Sequence, residues 1–162
     1  AAGEQVSSED ISKTFESADG SIQIDVPEGW ELDYTVSNPS ADFILSSEDL
    51  MKYLMVIRDA KSDLADGLTL EEYQSMLEEM TQTTGIEGYE STEPETLEIN
   101  GHNALQYEVV GSIQGVKLHY LYTVIETDDY FHQIMIWSDQ STFPTQKELF
   151  QEISASYKYT GE

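Results

Sequence analysis

The chain has no cysteine, and that single absence removes disulfides, thiol catalysis and thiolate metal sites together. It leaves the redox compartment open, because a cysteine-free domain suits either side of a membrane. Basic residues are scarce too: 7 Lys and Arg stand against 32 Asp and Glu, for a formal net charge of −25. Phosphate backbones and anionic membrane surfaces repel such a chain at long range, so nucleic acid is not expected as a partner. Basic protein surfaces, cations and neutral ligands remain. No apolar run approaches the roughly 18 residues of a membrane helix. The opening AAGEQVSSED lacks an initiator Met, which fits a processed export product or a trimmed chain at least as well as an intact start. Also missing are a Gly-x-Ser-x-Gly elbow, a Ser-x-x-Lys pair, a His-Glu-x-x-His helix and a phosphate-cradling glycine loop, so no enzyme signature and no cofactor are read from the sequence.

What is present reads as one domain. The 162 residues are enough to bury about 70% of the unfolded surface around a single core. Residues 1–13 are polar and are expected to form a flexible tether, with the domain spanning 14–162. In SIQIDVPEGW (21–30), Ile22, Ile24 and Val26 alternate as a strand that Pro27 ends. Gly29 then allows a sharp turn, and Trp30 is read as a plug folded over the end of the core. Phe15 marks a strand before the turn Ala18-Asp19-Gly20, and ADFILSS (41–47) and KYLMVIRD (52–59) are two more. TLEEYQSMLEEMTQTTG (69–85) predicts a helix with Thr69 as N-cap, Glu72 closing a capping box and Gly85 as the stop. Its buried stripe is Leu70, Tyr73, Met76 or Leu77, and Met80.

A meander follows, with hairpin turns at Asn100-Gly101, Gln114-Gly115 and Thr127-Asp128. Pairing 114 with 115 and 126 with 129 puts Leu105, Tyr107, Val109, Leu118, Tyr120, Tyr122, Val124, Phe131, Met135 and Trp137 on a core face. The opposite face mixes Gln106, Glu108, His119, Thr123 and His132 with Leu121, Ile125, Ile134 and Ile136, and is expected to be partly covered. PTQKELFQEISASYK (144–158) predicts a second helix, with Leu149, Phe150 and Ile153 facing inward.

Each candidate site has a plain structural reading beside it. His119 and His132 share a face, but with His132 opposite Thr123 they lie roughly 13 Å apart, too far for one metal. His102 sits in a turn. Asp59, Asp63 and Asp66 before Gly67 form the densest oxygen-ligand loop, electrostatically suited to calcium although the spacing is not that of an EF-hand; a solvated acidic loop is the simpler reading. Glu87, Glu90, Glu93, Glu95 and Glu98 partly alternate, as a wet strand face does. With so many carboxylates, some pair must lie close by chance, so an acidic dyad in a secreted hydrolase stays an alternative. Weak divalent-cation binding is another. Trp30 and Tyr34 are the aromatic candidates for a ligand or partner contact.

The order of VPEGW, GLTLEEY, INGHNALQYE, IMIW, KELFQEI and SASYK over residues 14–158 resembles the PsbP superfamily, which includes extrinsic photosystem proteins and bacterial DcrB-like lipoproteins. The resemblance implies an α+β fold, an antiparallel sheet of six to eight strands with two main helices packed on it. It also implies binding or assembly more than catalysis, and taken with the polar leader without Met and the acidic, cysteine-free composition it leads to the expectation of a bacterial protein outside the cytoplasm, joined to a membrane through an upstream lipid anchor; a monomer is expected. The partner expected is a protein with a basic surface, or a small ligand.

Overall fold

Turn chemistry sets the sheet. At Asn100-Gly101 and Gln114-Gly115 both central residues are left-handed, with φ of 50 and 85 and of 52 and 82. Two-residue loops of this kind match the right-handed twist of the strands they join. The computed structural model describes residues 11–33, 41–47, 52–82 and 86–160, and the turns join β7 (Glu95–Ile99), β8 (His102–Ile113) and β9 (Val116–Glu126) within it. The remaining strands are β1 (Ile11–Glu16), β2 (Ile22–Pro27), β3 (Glu31–Leu32), β4 (Ala41–Ser46), β5 (Lys52–Ala60), β6 (Glu87–Ser91), β10 (Tyr130–Asp139) and β11 (Lys158–Tyr159). The α-helices among the described elements are α1 (Leu70–Gln82) and α2 (Phe143–Ala155).

Strands β3-β4-β5-β10-β9-β8-β6 form an antiparallel sheet in that order, with β7 also paired to β8, and β1-β2-β11 form a smaller sheet. This is the α+β arrangement expected, an eight-stranded antiparallel sheet with two helices. β1 begins at Ile11, inside the stretch read as a tether to 13. Residues 1–10 and Gly85 lie outside the described residues.

The capping box forms as read: Glu72 N–H donates to Thr69 Oγ1 at 3.1 Å and Thr69 N–H to Glu72 Oε1 at 3.0 Å. Leu70, Tyr73 and Leu77 are buried, whereas Met80 is 56% exposed and does not belong to the stripe. Seven positions bring Met80 back to within about 20° of the face of Tyr73, so its exposure follows from its place in the last turn of α1 and not from the way it faces. The second helix ends at Ala155, because Tyr157 turns into the core and Lys158-Tyr159 pair with β2.

Both sheet faces are covered, and the larger core lies on the face expected to be only partly covered. There Leu121, Ile125, Ile134 and Ile136 pack with Ile22, Ile24 and Val26 of β2 and with Leu149, Phe150 and Ile153 of α2. Trp30 joins them, 2% exposed, after Gly29 turns the chain at φ 96. That face looks polar in sequence because two of its buried residues, Thr123 and His132, meet their hydrogen-bonding needs inside the core. On the other face α1 covers Leu105, Val124 and Phe131, and beyond the helix lies a second cluster of Tyr107, Tyr122, Met55 and Met135. Each large apolar side chain buried this way contributes about 1.5–3 kcal/mol.

The β9–β10 connection is wider than the expected pairing of 126 with 129. Glu126 pairs with Phe131, and Thr127 N–H donates to Tyr130 O at 3.0 Å. His132 therefore sits opposite Ile125 instead of Thr123.

Candidate functional site

A cleft opens at the head of α1. After β5 the chain makes a 3-10 turn at Lys61–Asp63, tied to the β9–β10 connection by Lys61 N–H donating to Asp129 O at 2.9 Å. Ala65 to Leu68 close a further turn, Leu68 N–H donating to Ala65 O at 3.3 Å. Gly67 takes φ 76 at its third position, where a side chain would be strained although nothing crowds the space. These turns and the first turn of α1 enclose a cleft of about 720 Å³. Leu64, Leu68, Leu70 and the ring of Phe131 form its apolar lining, and exposed Asp66 and Glu71 stand on its rim.

One cation lies in this cleft. The Lys61 ammonium is 2.7 Å from Glu126 Oε2 and 5.1 Å from the centre of the Phe131 ring. Phe131 is held by Tyr73 of α1, whose ring stacks on it at 4.4 Å and 11°. The Tyr73 hydroxyl donates to Asp59 Oδ2 at 2.5 Å and accepts from Gln133 Nε2 at 3.1 Å. Burial first, and then the bond to Asp59, pushes the Tyr73 hydroxyl far above the ordinary tyrosine range, so it stays a neutral donor. The cleft thus has an apolar, aromatic floor fixed from behind, a carboxylate paired with a cation, and a rim of further carboxylates. A shallower groove continues along the outer face of α1 past Glu72, Met76 and Glu79.

The three aspartates of the acidic loop do not converge. Asp59 points beneath α1 to Tyr73, while Asp63 and Asp66 are exposed. Among the described residues no group of three His, Cys, Asp or Glu is arranged to hold a metal ion. The two sheet histidines are further apart than expected: His119 faces Ser138 and His132 faces Ile125, six positions along β9, or about 20 Å. His119 Nε2 bonds Glu108 Oε1 at 2.9 Å, and its ring stacks on Phe143 at 3.6 Å. Burial would raise the Glu108 carboxyl, but the bonds from Lys147 and His119 outweigh it and hold it below its ordinary value. A second, smaller cleft of about 270 Å³ opens beside this trio.

Two carboxylates meet at Arg58, which bonds Asp42 Oδ1 at 3.0 Å and Asp19 Oδ2 at 3.1 Å. Burial raises the Asp42 carboxyl, whereas bonds from Ser17, Ser21 and Arg58 hold Asp19 well below the usual range. Arg58 also lies over the rings of Tyr130 and Tyr159, so this cluster stitches the small sheet to the large one. Trp30 fills the core and offers no exposed edge, and Tyr34 lies outside the described residues. The sequence reading missed Lys61, Glu126 and Phe131 as neighbours. The only local signal was a lysine inside an acidic loop.

In overall fold the chain is similar to cyanobacterial PsbP (CyanoP) from Synechocystis sp. PCC 6803, at a TM-score of 0.65 and 18% identity over 97% of this chain and 98% of that one. It is also similar to LpqN, involved in cell envelope biogenesis of Mycobacterium tuberculosis, at 0.64 and 13% over 91% and 90%. A protein of unknown function from Pseudomonas aeruginosa, PA94, gives 0.57 and 13% over 89% and 94%. No family model matches the chain, and no curated protein matches it in sequence. The fold is PsbP-like, as the order of motifs implied.

Proposed function

We propose that this chain is a docking module outside the cytoplasm of a bacterium, held at a membrane by an upstream lipid anchor, that binds a basic protein surface and performs no catalysis. The observation that carries this reading is the cleft at the head of α1: apolar floor, carboxylate rim, on a protein of net charge −25. An acidic rim around an apolar floor selects a partner that brings both a cation and apolar area, since charge alone is weak at physiological salt. The likeness in fold to a protein of cell envelope biogenesis supports the setting.

A photo-crosslinking residue at Ser62 or Ala65 on living cells is expected to trap one protein, with less trapped as salt rises. The same residue at Thr145, exposed at the start of α2, is expected to trap none of it. Equal trapping from both positions would remove the cleft as the docking site. The intact mass of the native protein is expected to include a lipid; a cytosolic, unmodified chain would overturn the anchor.

A further inference from the structure

We infer, building on that reading, that Lys61 is the chain's own occupant of a cation subsite, and that the cleft recognises a peptide segment carrying a Lys or Arg beside a large apolar residue. An aromatic face and a carboxylate converging on one ammonium are the elements of a site for an organic cation. Phe131 and Glu126 provide them, and Lys61 fills them at 5.1 Å and 2.7 Å. The arrangement is not needed to hold the turn. The backbone bond from Lys61 N–H to Asp129 O and the bond from Leu64 N–H to Lys61 O already do so.

The pair is also reachable. Both side chains are 31% exposed, so it is open to solvent on one side, where an incoming cation can compete with Lys61 for Glu126. Leu64, Leu68 and Leu70 beside the subsite then receive the neighbouring apolar side chain. Exposed Asp66 and Glu71 on the rim face either the partner's further cations or the displaced Lys61. Charge complementarity thus selects a basic peptide over an acidic or neutral one, and the apolar lining selects a peptide over a bare cation.

The test is a nuclear magnetic resonance titration of the isotope-labelled full chain with three probes. They are acetyl-Leu-Lys-Phe-Lys-Leu-amide, its counterpart with Gln at both Lys positions, and calcium chloride. The Lys peptide is expected to shift amides of residues 61–72, 126 and 131, and the Gln peptide to bind about tenfold more weakly. Glu126→Gln should weaken the Lys peptide by a similar factor, whereas Lys61→Met, which vacates the subsite and keeps an apolar stem, should strengthen it severalfold. Glu71→Gln, an exposed change with no part in the core, should weaken it by about twofold. Equal binding of the two peptides, a response to calcium alone at the same amides, or Lys61→Met binding no better than the parent would each overturn the inference. Cross-links from Ser62 in cells alongside any of those results would remove the cation subsite while leaving docking at the cleft in place.

Discussion

Acid should weaken this fold through one residue, His132. Its ring is fully buried on the main core face, with Nδ1 2.6 Å from the Tyr157 hydroxyl and Nε2 3.0 Å from Thr127 Oγ1. Thr127 Oγ1 donates its own proton to Tyr130 O, so it accepts from Nε2–H, and Tyr157 donates to an unprotonated Nδ1. Neutral imidazole satisfies every bond; imidazolium would set a donor against the Tyr157 donor. Burial first, and then the charges of Arg58 and His102, lowers the His132 pKa from 6.5 to about 3. The sign follows from linkage: between those values the unfolded chain binds a proton that the folded chain does not, so stability is present above pH 6.5 and is lost as pH falls toward 3. The slope is half of about 1.4 kcal/mol per pH unit at pH 6.5, where the unfolded imidazole is half protonated, and approaches the full value below it, so going from pH 6.5 to pH 4.5 removes about 2.3 kcal/mol. For a domain of this size that lowers Tm by about 5–10 °C. The carboxylates titrate at the acid end of this range and the net charge of −25 relaxes, so the comparison must be with His132→Gln, which keeps an acceptor and a donor but cannot ionise. Urea unfolding at pH 7, 6, 5 and 4.5 is expected to give a parent curve that falls about one proton more steeply than the variant's, even if the variant starts lower. Parallel curves would refute the assignment of His132 as buried and neutral.

Tyr73→Phe removes the hydroxyl between Asp59 and Gln133 and is expected to cost about 1–3 kcal/mol in urea unfolding; an unchanged midpoint would mean the bonds contribute nothing. Trp30→Ala empties a fully enclosed site in the main core and should cost about 3–5 kcal/mol, whereas a loss below about 1 kcal/mol would place the indole outside it. Calorimetry with calcium chloride should show a response no tighter than about millimolar, because Asp59 is bonded to Tyr73 away from Asp63 and Asp66; a micromolar site lost on Asp63→Ala would refute this.

The elements were legible where local chemistry decides them. The Thr69–Glu72 capping box, the Asn100-Gly101 and Gln114-Gly115 turns and the alternation of Ile22, Ile24 and Val26 each specify their geometry within a few residues. What depended on distant pairing was not. The β9–β10 register shifted by two because Thr127 bonds Tyr130, which no dipeptide signal shows. The main core face read as polar because Thr123 and His132 are satisfied by Gln106, Thr127 and Tyr157, none of them adjacent in sequence. The cleft was illegible for the same reason: Lys61, Glu126 and Phe131 meet only once β5 and β10 have paired.

The distribution of the seven cations explains why the cleft matters more than the net charge. Among the described residues Lys13 pairs with Glu31, Arg58 with Asp19 and Asp42, Lys61 with Glu126, and Lys147 with Glu108. The ties of Arg58 and Lys147 join elements distant in sequence, so removing those two cations would loosen the scaffold. Lys61 differs in that its turn is already fixed by backbone bonds. A field from −25 charges attracts any basic surface, but screening within about 8 Å makes it indifferent to where on the protein that surface lands. Position has to come from shape. The cleft at the head of α1 combines a carboxylate and an aromatic face around one cation with an apolar floor, so salt should slow encounter with the whole surface while leaving the apolar share of the affinity in place. A partner whose binding vanished completely in high salt would be recognised by charge alone, and the floor of Leu64, Leu68 and Phe131 would then have no part in choosing it.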